Sequence, residues 1–178
     1  MKVTKLLGYQ VLDSRGRPTV AASITLEDGT THTARVPSGA STGKHEALEL
    51  RDGDQLAHNN FYGALSVTKA VENVNSRIAP LIVGQQVDLN FIDGEIRTLD
   101  TTSNFSSLGA NATLAVSLAA AKASAHAHNV SLARYFQPEG NLLIPMPMVN
   151  ILSGGAHANR SLDFQDVLIV PRGASTFT

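Results

Sequence analysis

Residues 110–128 constrain the fold more than any other stretch. Ala110, Ala112, Leu114, Ala115, Val116, Leu118, Ala119, Ala120, Ala121 and Ala123 put apolar side chains on nearly every side of one helix. A helix of that kind is stable only when other elements cover it, so the pattern predicts a central helix packed closely by its neighbours. His126 and His128 near its C-terminal end suit the helix dipole and solvent. His32 and His58 have no acidic or metal-ligand pattern beside them.

The covering elements are legible on both sides. Val3–Leu12 and Val20–Leu26 are strand-like runs, and Asp28-Gly29 forms a tight hairpin turn, so residues 3–36 read as an antiparallel meander. The connection Asp13–Thr19 carries more charge than a turn requires; Arg15 has a structural or interface partner, or is a solvated turn arginine. Phe61, Leu65, Val71, Val74 and Ile78 are spaced for a helix that Pro80 closes. Asp88 caps a shorter helix carrying Phe91, Ile92, Ile96 and Leu99.

Around Gln137–Asn141 the composition shifts to a linker, dividing the chain into domains 1–138 and 139–178. In the second, strand-like runs at Leu142–Leu152 and Phe164–Pro171 are joined by Ser153–Ala158, a flexible connection bearing His157. Met146 and Met148 are expected in a core. Gln165 and Asp166 bring polar groups into an apolar strand and need partners.

Bulk properties exclude several classes. A chain of 178 residues with 43% hydrophobic content can bury a sizeable core. Its 14 Lys and Arg against 15 Asp and Glu give a net charge of -1, too little to recruit nucleic acid or an acidic membrane surface. No apolar run approaches the roughly 18 residues of a membrane span, and the N-terminus has no signal-peptide core. The absence of cysteine excludes disulfides, thiolate metal sites and a cysteine nucleophile. A cytoplasmic protein is the expectation.

The loop Pro37–Glu46 behind the meander holds two glycines and the hydroxyls of Ser38, Ser41 and Thr42. It is not a nucleotide P-loop, which needs four residues between its first glycine and the Gly-Lys pair, then Ser or Thr. Gly39 lies too close to Gly43-Lys44, and His45 follows. A hydroxyl-bearing lid able to close on an anion or metal ion is the reading that remains.

Taken in order, Asp13-Ser14-Arg15-Gly16-Arg17-Pro18-Thr19-Val20, Pro37–Gly43 with His45–Asp54, Leu108-Gly109-Ala110-Asn111-Ala112, and Gly154-Gly155-Ala156-His157-Ala158 with Gln165-Asp166 resemble the N-terminal portion of enolase, the phosphopyruvate hydratase of glycolysis. The resemblance implies an α+β domain, a three-stranded antiparallel sheet plus helices, followed by the opening strands of a (β/α)8-type barrel. It implies magnesium-dependent dehydration of 2-phosphoglycerate to phosphoenolpyruvate, a small phosphorylated substrate, Mg2+ as cofactor and a homodimer. It assigns catalysis to Asp166 and His157, substrate contacts to His157, Gln165, Asp166 and Ser41, and a metal contact to Ser41. In that chemistry a lysine removes a weakly acidic proton while magnesium stabilises the charge that develops.

Two departures from the family pattern stand out. Asp166 replaces the usual Glu after Gln165, one methylene shorter. The family's lysine base, magnesium carboxylates and second acidic glutamate would fall beyond Thr178, so the 178 residues alone are expected to be inactive. The alternatives are an enolase-like paralogue with altered substrate and a non-catalytic dimerisation or binding module.

Overall fold

Alternating apolar and β-branched residues build β1 (Val3–Leu12), β2 (Pro18–Leu26) and β3 (Thr31–Arg35), paired antiparallel in the order β1-β2-β3. The computed structural model describes residues 1–39, 42–53, 61–158, 162–174 and 176, the side chains of Phe61, Ala156 and His157 excepted. It divides into two compact units, Met1–Pro138 and Glu139–Thr178.

In the first unit β2 is central, and Val20, Ala22, Ile24 and Leu26 are buried in the core with Ala34 and Val36. The sheet also carries a run of hydroxyls: Tyr9 bonds Ser23 at 3.2 Å, Ser23 bonds Thr33 at 2.7 Å, and Thr25 bonds Thr31 at 3.0 Å. On edge strand β1, Asn75 engages both backbone groups of Gly8, accepting its N–H at 2.8 Å and donating to its carbonyl at 2.9 Å. Nearer the strand's start, Val3 donates to the Gln85 carbonyl at 2.9 Å and accepts from Gly84 at 2.8 Å.

The helix expected to end at Pro80 instead continues through it. After a 3-10 turn at Phe61–Ala64, α1 (Thr68–Glu72) passes into a π-helical segment, Asn73–Ile78, and then into α2 (Ala79–Ile82). Proline has no N–H to donate, and here it stands in the first turn of α2, where that donor is not needed. Asp88 caps α3 (Leu89–Leu99), its side chain accepting from Phe91 N at 2.8 Å.

The alanine-rich helix is α4 (Ala110–Ala127), with α5 (Leu132–Phe136) after it. Ala112, Ala115, Val116, Ala119, Ala120 and Ala123 are in the core. Leu114 and Leu118 are 42% and 39% exposed, so this unit covers α4 on fewer sides than the sequence suggested. Its small residues face the sheet because they permit close approach. His126 does more than complement the dipole: its Nε2 lies 2.8 Å from Asp28 Oδ2, and its ring centroid is 4.8 Å from that of His32. The Thr30 hydroxyl and His126 hold the Asp28 carboxyl well below the usual range. Burial and the charge of His126 push the His32 imidazole down.

In the second unit β4 (Val149–Ser153) and β5 (Asp166–Ile169) pair antiparallel. An eight-stranded barrel of the usual kind opens with parallel strands joined through a helix. Here the described part of the connection holds a 3-10 turn, Gly155–Ala158, in place of a crossover helix, and the pair folds back on itself. Met146 and Met148, expected in a core, are 55% and 71% exposed, because this short hairpin unit encloses little.

Candidate functional site

The loop at residues 37–46 leaves the sheet at a pinned point. Thr19 Oγ1 donates to the Val36 carbonyl at 2.7 Å, a buried bond, and Val36 N donates to Val20 O at 3.0 Å. Beyond it, Arg51 gathers the stem. Its guanidinium donates to the Pro18 carbonyl at 2.7 Å, to the Leu65 carbonyl, to Ser38 Oγ at 3.1 Å and to Glu49 Oε1 at 2.6 Å. A planar fork with five N–H groups suits such a junction, since it can bind carbonyls and a carboxylate together.

The charged turn after β1 joins the same stem. Asp13 Oδ1 accepts the backbone N–H groups of Arg15 and Arg17, both at 2.8 Å, and the hydrogen bond from Arg17 holds its carboxyl below the usual range. Arg15 Nη1 reaches the Ser38 carbonyl at 3.4 Å, so Arg15 has the structural partner that was one of its readings.

The far end of the loop is tied to α4. Asn111 accepts from Leu50 N at 3.1 Å and donates to Leu50 O at 3.0 Å, while Ala110 N donates to Leu48 O at 2.7 Å. Gly109, at φ 94°, leaves room for this: a Cβ there would sit 2.5 Å from Leu50 Cβ. A cavity of about 360 Å³ lies between Pro37, Gly39 and Thr42 on the loop side and Ala110, Asn111 and Leu114 of α4. Ser41 itself lies outside the described residues.

The other candidate residues fall in the second unit. His157 is in a 3-10 turn, Gly155–Ala158, so the connection expected to be flexible is locally ordered. Gly154 makes the turn possible. Its N–H donates to the Gln165 carbonyl at 2.6 Å, and a Cβ in its place would lie 2.1 Å from the Phe164 carbonyl oxygen. Asp166, at the start of β5, finds the partner that a polar group in an apolar strand requires: Asn150 Nδ2 donates to its Oδ1 at 2.7 Å. The same Nδ2 lies 2.8 Å from Ser153 Oγ, and Ser153 Oγ lies 3.5 Å from Asp166 Oδ1.

Residues 3–136 match the N-terminal domain of enolase, and residues 141–178 match the C-terminal TIM barrel domain of enolase. The chain belongs to the enolase family. It is 51% identical over 178 residues to the enolase of Anaplasma phagocytophilum (strain HZ), covering 99% of this chain and 41% of that relative. It is 48% identical over 176 residues to the enolase of Campylobacter lari (strain RM2100), covering 98% of this chain and 41% of that relative. The chain therefore spans about two-fifths of the length of these curated relatives. The enolase fold accounts for both units: an N-terminal domain with a three-stranded antiparallel sheet plus helices, then the start of the barrel.

Among the described residues no three His, Cys, Asp or Glu converge to hold a metal ion. The described residues alone do not fit a magnesium site. Arg51 and Asn111 lie within family motifs and Asn150 within a strand-like run, where nothing in the sequence gives them work. Their roles depend on partners far along the chain, such as Leu50 for Asn111, which spacing does not reveal.

Proposed function

We propose that this chain serves an enolase-type lyase that dehydrates 2-phosphoglycerate to phosphoenolpyruvate with magnesium, in a cytoplasmic protein that pairs with a second copy of itself. The match of both units to enolase carries this reading. It is supported by the way Gly154 and Asn150 hold the backbone and carboxylate of the segment bearing His157, Gln165 and Asp166.

In the reaction a C–H proton leaves beside the substrate carboxylate, and the hydroxyl on the next carbon departs as water after taking up a proton. We place Asp166 on the side where the hydroxyl leaves, as the group that helps deliver or relay that proton. Gln165 hydrogen-bonds the substrate and His157 lies beside it, both fixing its orientation. Ser41 is the oxygen this chain would bring to magnesium as the loop closes.

The test is a coupled assay of the full-length protein on 2-phosphoglycerate, with and without a chelator. Turnover that chelation abolishes and added magnesium restores is expected. No turnover of 2-phosphoglycerate, with turnover of another phosphorylated acid, would transfer the assignment to a paralogue, a reading favoured by the shorter side chain of Asp166.

A further inference from the structure

We propose that Asn150 is a positioning residue for the Asp166 carboxylate, brought to it by a β-bulge in β4. The inference rests on the reading of Asp166 given above. Side chains alternate along a regular strand, so residues three apart point to opposite faces. Asn150 and Ser153 nevertheless hydrogen-bond at 2.8 Å. The register explains it: Asn150 pairs with Leu168 and Leu152 with Val167, a slip that inserts one extra residue at Ile151. One extra residue inverts the facing of everything after it, so Asn150 and Ser153 share a side. Ser153 is paired with Asp166, and the three side chains meet there.

The hydrogen-bond inventory gives this cluster a direction. A carboxylate only accepts and a primary amide nitrogen only donates, so Asn150 spends its two N–H groups on Ser153 Oγ and Asp166 Oδ1. Ser153 Oγ, accepting from the amide, turns its own proton toward the same Oδ1, at the 3.5 Å limit of a hydrogen bond. Among the described residues both contacts fall on Oδ1, which leaves Oδ2 as the oxygen offered to the substrate. A side chain one methylene short has less reach, and a misplacement of about 1 Å can cost about a hundredfold in rate. A carboxylate fixed by its neighbour loses less of that rate to disorder.

In the full-length protein assayed on 2-phosphoglycerate, Asn150→Ala should lower kcat by about tenfold or more with KM within about twofold, since Asn150 acts through Asp166 and not on the substrate. Asn150→Asp should be worse than Asn150→Ala despite its matching shape, because it removes the donor and sets a like charge beside Asp166; a space-filling role predicts the reverse order. In an Asp166→Asn background, Asn150→Ala should cost less than about twofold further. Should Asn150→Ala fail to fold by its melting curve, Ser153→Ala, which frees the same amide, is read for the same coupling to Asp166. Unchanged kcat in Asn150→Ala, or equal losses with and without Asp166, overturns the inference while the proposed function stands. Failure of the unsubstituted protein to act on 2-phosphoglycerate overturns both.

Discussion

The Asp52 carboxylate caps a helix that begins sixteen residues later, its Oδ2 accepting from Thr68 N at 3.0 Å and from the Thr68 hydroxyl at 2.6 Å. Its Oδ1 accepts from Lys69 N at 2.9 Å. Val67, at the N-cap position, has no side chain that could do this. A distant residue supplies the cap and ties the segment after the loop to α1.

Asn offers one acceptor oxygen where Asp52 uses two, so Asp52→Asn should cost about 1 kcal/mol, measured by denaturant unfolding at pH 7. Burial works to raise the Asp52 pKa, but hydrogen bonds from Lys69 and Thr68 outweigh it and hold the carboxyl below its usual range. A folded pKa below the unfolded value of about 3.9 makes the contribution complete above about pH 4 and lost as pH falls through the folded pKa. The stability gap between the two proteins should narrow in acid. A gap constant down to acid unfolding would assign the cap to shape alone.

Asn75→Ala should destabilise the first unit by about 1–3 kcal/mol, since it strips both backbone partners from Gly8. Gly8→Ala should cost a similar amount by overpacking, because the new Cβ would lie 2.7 Å from Val74 Cβ. Thermal unfolding of the single and double variants checks both. Strict additivity of the two losses would mean the sites do not share one contact.

Ser41→Ala should raise the magnesium concentration needed for half-maximal turnover and lower kcat, with a melting temperature shifted by about one degree or less. Magnesium titration of the two proteins provides the comparison. A melting temperature lowered by several degrees with unchanged magnesium dependence would make Ser41 a structural residue.

Asp166→Asn should cost far more turnover than Asp166→Glu, since the first removes the acid function and the second alters only reach. Initial rates on 2-phosphoglycerate at saturating magnesium are the measurement. Equal losses would leave the carboxylate without a chemical part.

The three-stranded meander and the capped helix at Asp88 were legible because each rests on local rules: alternation, a turn pair, a cap. The helix through Pro80 was not, because the π-helical segment before it is a backbone adjustment that side-chain periodicity does not encode. Gln165 and Asp166 could be singled out as polar groups needing partners. That Asn150 is the partner depends on a one-residue bulge, invisible in a run such as Val149-Asn150-Ile151-Leu152. The Arg51 junction escaped for a related reason: four of its contacts reach Pro18, Ser38, Glu49 and Leu65, and no fixed spacing announces such a set.

The engagement of Val3 and Gly8 along β1 has a colloidal consequence. An unpaired strand edge is a template onto which another chain can add, the first step toward a fibril. Here Gln85, Gly84 and Asn75 already occupy outward amide and carbonyl groups at two places along that edge, so an incoming strand meets an interrupted ladder. Crowded copies of this domain are thereby steered away from edge-to-edge strand pairing, and a lesion at Asn75 would weaken that safeguard along with the fold.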